Sequence, residues 1–362
     1  MQSWTQKLRI SKLPTIHHEK HTENKLMSEN KLTHTKPETD IFSERTQLKP
    51  YEYTNFLEYT DAIRNSYWVH TEFNFSGDVQ DFKVNTTPAE KTVIKRTMLA
   101  IAQIEVQVKT FWSDIYEKMP KAEIGSVGMT FAESEVRHMD AYSHLLDILG
   151  ITEDFEQVTE VPAIKNRIEY LDDCLENADS DDTDEYVLSI LLFSTFVEHV
   201  SLFSQFLIMT SFDKYEKKFK GISNAVEATS KEEQIHGLFG VELVETIKEE
   251  NPDLFDDDFE QEIQAACQQA YEAEMDILDW IFADGELEYL PRVYIDEFLK
   301  DRFNQSLENV DVDPLFETDD DLLEETRWFD EDIMMTKDND FFSKRSTTYN
   351  KHTQSVTAEE IF

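Results

Sequence analysis

The stretch FAESEVRHMDAYSHLLDIL, Phe131–Leu149, decides how the chain is read. As a helix it sets Glu135, His138 and Tyr142 on one face, because residues three and four apart are neighbours on a helical surface. Phe131 and Leu145 extend the same stripe. A carboxylate and an imidazole side by side on a buried face form two arms of a metal site. A phenol one turn beyond them is close enough to exchange an electron with that metal. Glu-x-x-His alone is a weak pattern, since most occurrences are a solvated acid beside a surface histidine. A second copy, Glu233 and His236 in SKEEQIHGLFG, raises its weight.

Two such pairs call for two more acids, each from its own helix, as in di-metal carboxylate bundles. Upstream, Pro88 after Thr86 and Thr87 marks a helix start. The run from Thr92 to Met119 then sets Ile101, Glu105, Val108 and Trp112 on one face and closes near Pro120. An acid on an apolar stripe is costly unless it is paired or bound to metal, so Glu105 is the first candidate. The Phe131–Leu149 helix stops at Gly150, the residue type expected past a helix C-terminus. Another helix is expected from Pro162 to Leu175, and the acidic run ENADSDDTDE reads as a loop and cap.

The second acid lies in YVLSILLFSTFVEHVSLFSQFLIMTSF, Tyr186–Phe212. This run is apolar for long enough to raise the question of a membrane span. Glu198 and His199 sit at its middle, where an ionisable pair would be expensive in a bilayer. A core helix buried all round is the better reading. Leu191, Thr195, Glu198 and Leu202 share one face, so Glu198 points inward, while His199, one step round, is expected to make a structural hydrogen bond. The fourth helix, about 224–249, carries Glu233 and His236. Gly237 and Gly240 within it imply a closely approaching neighbour, because glycine otherwise costs helix stability. A helix over about 257–283 and shorter ones to about Asn309 follow.

Composition agrees with a helical protein. With 40% apolar residues and 25 Phe in 362 residues, the chain can bury a large core, and only 8 Gly and 9 Pro argue for few turns. A formal charge of −42 repels phosphate backbones and anionic lipid, so nucleic acid and membrane are not expected partners. Two cysteines, Cys174 and Cys267, give neither a disulfide framework nor a zinc spacing, which fits a cytoplasmic location. Residues 1–45 are polar, lack a secretory apolar core and read as a flexible extension. Their scattered His17, His18, His21 and His34 carry no metal spacing, and Met27 is an alternative start. Residues 46–325 read as the helical domain and 326–362 as a flexible tail.

The inventory is Glu105, Glu135 with His138, Glu198, and Glu233 with His236 on four long helices. The order acid, pair, acid, pair is that of an all-α, ferritin-like bundle with additional helices. Carboxylate and imidazole donors suit iron or manganese, and no cysteine cluster suggests structural zinc.

With these residues in view, the chain resembles the small, radical-generating beta subunit of class I ribonucleotide reductase. The marks are Trp68, Glu105, ESEVRHMDAY, FVEH with Glu198, KEEQIH and the aromatic tail, from Trp68 to the C-terminus. The resemblance implies a dinuclear centre, Fe/Fe first, with Mn/Mn and Mn/Fe as alternatives. It implies a one-electron oxidant stored as a tyrosyl radical on Tyr142 and passed to a large subunit that reduces ribonucleotides. It further implies a transfer route through Trp68, Glu232 and His138 to Tyr349, a homodimer, and docking of the large subunit on the C-terminal peptide TAEEIF with Phe362 as anchor. Two departures stand out: Glu105 replaces the more familiar Asp, and Glu232 replaces the usual Asp beside Glu233. A di-iron oxygenase or desaturase on the same bundle is the rival enzyme, and a non-catalytic ferritin-like metal-binding bundle the rival of another class. Neither needs Trp68, Tyr142 and Tyr349 together.

Overall fold

The architecture is a core of four helices surrounded by further helices, seen in a computed structural model that describes residues 40–334. Among the described residues there is no strand, only an isolated bridge between Leu287 and Leu290. The helices used below are α1 (Leu57–Ser66), α2 (Pro88–Gln107), α3 (Phe111–Lys118), α4 (Ala122–Leu149), α5 (Pro162–Glu176) and α6 (Thr183–Glu216). They continue with α7 (Lys220–Glu250), α8 (Asp257–Phe282), α9 (Arg292–Asn309) and α10 (Arg327–Met334). Helices α2, α4, α6 and α7 form the core; α1 and α3 lie against α4, α8 packs on α2 and α5, and α9 closes over the middle of α6.

Local sequence sets the ends of these helices. The Thr87 side chain accepts from the Glu90 N–H while Glu90 reaches back to the Thr87 N–H, a reciprocal cap with Pro88 in the first turn. Gly150 ends α4 at φ +72°, a left-handed conformation that favours glycine. The Thr92–Met119 run is not one helix. A 3-10 turn at Val108–Thr110 separates α2 from α3, where the β-branched Val106, Val108 and Thr110 weaken the α-helix.

Helix α6 is the run with the length and composition of a membrane span, and 94% of its apolar window is buried inside the protein. Its centre, Phe193–Ser201, is π-helical. The α-helical spacing that grouped Leu191, Thr195, Glu198 and Leu202 therefore does not run through it, yet Glu198 still faces inward at 2% exposure. Such π segments recur at functional sites. Helix α7 lies so close to this segment that a Cβ added at Gly240 would stand 2.1 Å from the Ser194 side chain.

The helical body is longer than the sequence reading at both ends. Ile41 is fully buried and its N–H donates to Glu250 at 2.7 Å. Arg45 forms a two-pronged ion pair with the buried Glu123, which also accepts the N–H groups of Glu52 and Tyr53. Residues 40–45 thus belong to the body rather than to the polar extension. At the other end, α10 buries Phe329 and ties Asp330 to Arg302 at 3.1 Å, so residues 327–334 pack on the helical body. Aromatic anchors and one ion pair outweigh the acidic, tail-like composition there.

The packing predicts a steric contrast. Gly240→Ala should lower stability by about 1–3 kcal/mol, the scale of overpacking. Gly77→Ala, whose added carbon meets nothing within 4 Å, should stay within about 0.5 kcal/mol of the parent. Urea unfolding midpoints of the two variants check this.

Candidate metal centre

Each core helix delivers an acid to one point. Glu105 comes from α2, Glu135 and His138 from α4, Glu198 from the π segment of α6, and Glu233 and His236 from α7. All six are at most 2% exposed. They fall into two groups that share Glu135: Glu105, Glu135 and His138, and Glu135, Glu198, Glu233 and His236. Within each group the donor atoms lie within 4.8 Å of one another. The two imidazole rings are 6.2 Å apart between centroids.

The donor chemistry fits two cations. Both oxygens of Glu105 and of Glu135, Glu233 Oε1 and His138 Nδ1 are buried and make no hydrogen bond of ordinary geometry. Four carboxylates so close together in a dry interior repel one another, and an unpaired buried charge is costly. Burial raises the Glu105 carboxyl well above its ordinary range. Burial raises Glu198 as well, reinforced by the charges of Glu233 and Glu135. Burial pulls the other way on His138, but Glu233, Glu135 and Glu232 hold that imidazole well above its usual value. Burial likewise lowers His236, against which Glu135 and Glu233 raise it further. Two divalent ions would remove this frustration, since four carboxylates balance their charge.

Side chains beyond the six orient them. His138 turns Nδ1 toward the carboxylates, 2.8 Å from Glu233, and Nε2 toward Glu232, also 2.8 Å away. His236 turns Nδ1 toward Glu135 at 2.9 Å, and its Nε2 lies 3.0 Å from the Ser134 hydroxyl. Trp112, fully buried among Phe131, Phe193 and Phe239, donates its indole N–H to Glu198 at 2.7 Å. Such partners fix which nitrogen or oxygen faces a metal. Trp112 was legible as a core aromatic and Ser134 as a neighbour of Glu135, but neither carried a sequence signal for its hydrogen bond. His199 stays outside the cluster, as expected: its Nδ1 pairs with Ser306 at 2.8 Å, and Arg302 donates to its carbonyl.

Tyr142 is 1% exposed. Its hydroxyl makes no hydrogen bond of ordinary geometry, and Glu105 and Thr229 are polar groups beside it. Burial first, then the Glu105 charge, pushes the phenol far above its usual range. Trp68 is 3% exposed and stacks on His138, with ring centroids 5.8 Å apart and planes 16° from parallel. Glu232 does not take the Trp68 N–H, which has no hydrogen-bond partner among the described residues. The longer acid instead binds His138 and Arg137, with Ser66 at 3.3 Å. Tyr349 and Phe362 lie outside the described residues.

A family model for the ribonucleotide reductase small chain matches residues 45–322. The chain belongs to that family. A ribonucleotide reductase small chain is the radical-generating subunit of ribonucleoside-diphosphate reductase, an oxidoreductase active with a large catalytic subunit. Among relatives of this small chain, a probable ribonucleoside-diphosphate reductase small subunit of Invertebrate iridescent virus 3 is 22% identical, covering 87% of each chain. The beta subunit of Chlamydia pneumoniae is 23% identical over 84% of this chain and 89% of its own. In fold, the small chain matches the dimanganese protein of Streptococcus sanguinis with a TM-score of 0.66, at 16% identity, over 79% of this chain and 99% of the other.

The shared position of Glu135 gives the centre its test. Glu135→Ala and Glu233→Ala should each reduce recovered metal from about two ions per chain to near none, with helix content unchanged. Elemental analysis beside circular dichroism checks this, and full loading of either variant would refute the assignment.

Proposed function

We propose that Glu105, Glu135, His138, Glu198, Glu233 and His236 hold two metal ions and that Tyr142 stores the oxidant. The observation that carries this reading is the convergence of six buried carboxylate and imidazole side chains on one point, with Glu105 and Glu135 making no ordinary hydrogen bond through either oxygen. When bound, the dinuclear centre supplies a one-electron oxidant. Iron in both positions is the first assignment, with two manganese ions or one of each as alternatives.

The protein's own residues then divide the work. The apolar walls and the indole of Trp112 exclude water from the donor cluster and hold Glu198 in place. Tyr142 suits storage because its phenol is sealed from solvent. Losing an electron from a phenol also releases its proton, and Glu105 and Thr229 are the polar groups beside Tyr142 toward which it can leave. Sealing keeps the resulting neutral radical away from reductants. On the outer side, Trp68 against His138 and Glu232 against the same ring form the start of the route toward the large subunit. Residues 335–362 complete that route through Tyr349 and dock the partner through Phe362, while the chain pairs with a second copy. A cytoplasmic location fits the two unpaired, buried cysteines. The combination of Trp68 and Tyr142 around one centre favours this reading over an oxygenase on the same bundle.

Electron paramagnetic resonance checks the storage site. Metal-free protein given ferrous iron and dioxygen should yield a radical signal that Tyr142→Phe abolishes; the same signal in the variant would move the oxidant elsewhere. Tyr349→Phe should keep the signal and the metal content but lose turnover with the large subunit, and unchanged turnover would remove Tyr349 from the route.

A further inference from the structure

Between Trp68 and the candidate metal ligands lies a buried cation that the reading above does not use. Arg137 precedes His138 in α4 and is 5% exposed. Its Nη1 and Nη2 reach the two oxygens of Glu232 at 3.1 and 3.2 Å, the two-pronged geometry that only a guanidinium offers. Nη1 also donates to the Trp68 carbonyl at 3.1 Å, and Nε donates to Glu133 at 3.0 Å. The guanidinium carbon sits 4.6 Å from the Tyr67 ring centre and 5.7 Å from that of Trp68. One side chain thus grips the acid, the backbone and the faces of two aromatic rings.

The contacts matter because of where they leave Glu232. A carboxylate has two oxygens, and here one faces Arg137 and His138 while the other faces Arg137 and Ser66. Neither accepts from the Trp68 N–H, which is buried without a partner among the described residues. A buried indole N–H normally finds an acceptor, and Glu232, its oxygens held by Arg137, His138 and Ser66, does not serve as one. Glu is one methylene longer than Asp, and that extra reach is taken up by Arg137. Contact between Trp68 and the centre is consequently ring on ring, through the stack with His138.

We infer that Arg137 is a positioning residue that clamps Glu232 onto His138 and off the Trp68 indole, so that Trp68 communicates with the metal centre through its stacked ring while keeping its N–H proton. The inference rests on the proposed route through Trp68. Arg137 touches none of the six candidate ligands, so its role is to set the geometry of Glu232 and Trp68.

The test separates the clamp from the route. Ultraviolet resonance Raman reports whether an indole N–H is hydrogen-bonded. The difference between the full metal-free chain and its Trp68→Phe counterpart isolates Trp68 among the five tryptophans. The parent should show a Trp68 N–H without a hydrogen bond, and Arg137→Met should shift it to the hydrogen-bonded position as Glu232 swings across. Arg137→Lys, a point charge that cannot hold both oxygens, should fall between. A hydrogen-bonded Trp68 in the parent would overturn the clamp even if Arg137→Met failed to fold, and so would an unshifted signal in both variants. Loaded with metal and assayed with the large subunit, Arg137→Met should lose turnover by about 10–100-fold at unchanged metal content. A shifted signal with unchanged turnover would leave the clamp standing and take Trp68 out of the route.

Discussion

Four carboxylates buried within one cluster are the constraint on which the rest of the structure depends. Among the described residues no lysine or arginine pairs with these acids, and the arginine nearest in sequence, Arg137, is committed to Glu133, Glu232 and Trp68. A protein interior tolerates such a concentration of charge only if something else neutralises it. The surrounding design follows from that need. Each of the four core helices carries its own donor or donor pair to the centre. The walls are Phe and Trp because water admitted there would solvate the acids in place of the cations.

The same cluster explains why helix packing is tightest where it is. Helices α6 and α7 meet with a glycine, Gly240, against Ser194, one π-helical turn before Glu198 and about one α-helical turn past His236. Close backbone approach keeps the acids and imidazoles within reach of one another. Arg302 ties the periphery to this region, donating to the His199 carbonyl and pairing with Asp330 on α10. The last described helix is therefore fastened directly behind the π segment.

Much of this was legible in the sequence because charge on an apolar helix face is rare. Glu105 and Glu198 declared themselves by interrupting otherwise hydrophobic stripes, and the doubled Glu-x-x-His supplied the partners. The π segment was not legible: Phe193–Ser201 is buried on every side, so its sequence has no periodicity from which a change of helical pitch could be read. Trp112, Ser134 and Arg137 were hidden for a different reason. Their roles are hydrogen bonds to residues far away in the chain, one each for Trp112 and Ser134 and several for Arg137, and composition does not encode direction. The Glu232 departure was visible as an extra methylene, but the arginine that takes up its reach came from another helix. Residues 40–45 and 327–334 misled by composition, since one buried Ile41 or Phe329 anchors a segment that is otherwise polar.

The π-helical centre of α6 also restricts how the gene can change. Substitutions along Phe193–Ser201 alter a side chain at a time, and many would be absorbed by local repacking. Loss of one codon would be different in kind. The segment could relax to α geometry, whose turn holds fewer residues than the i→i+5 turn of a π helix, so the two flanking halves would keep roughly their orientation. Glu198, inside the rewound stretch, would turn off the shared centre. Length over these nine residues therefore sets where Glu198 points, independently of which side chains fill the segment.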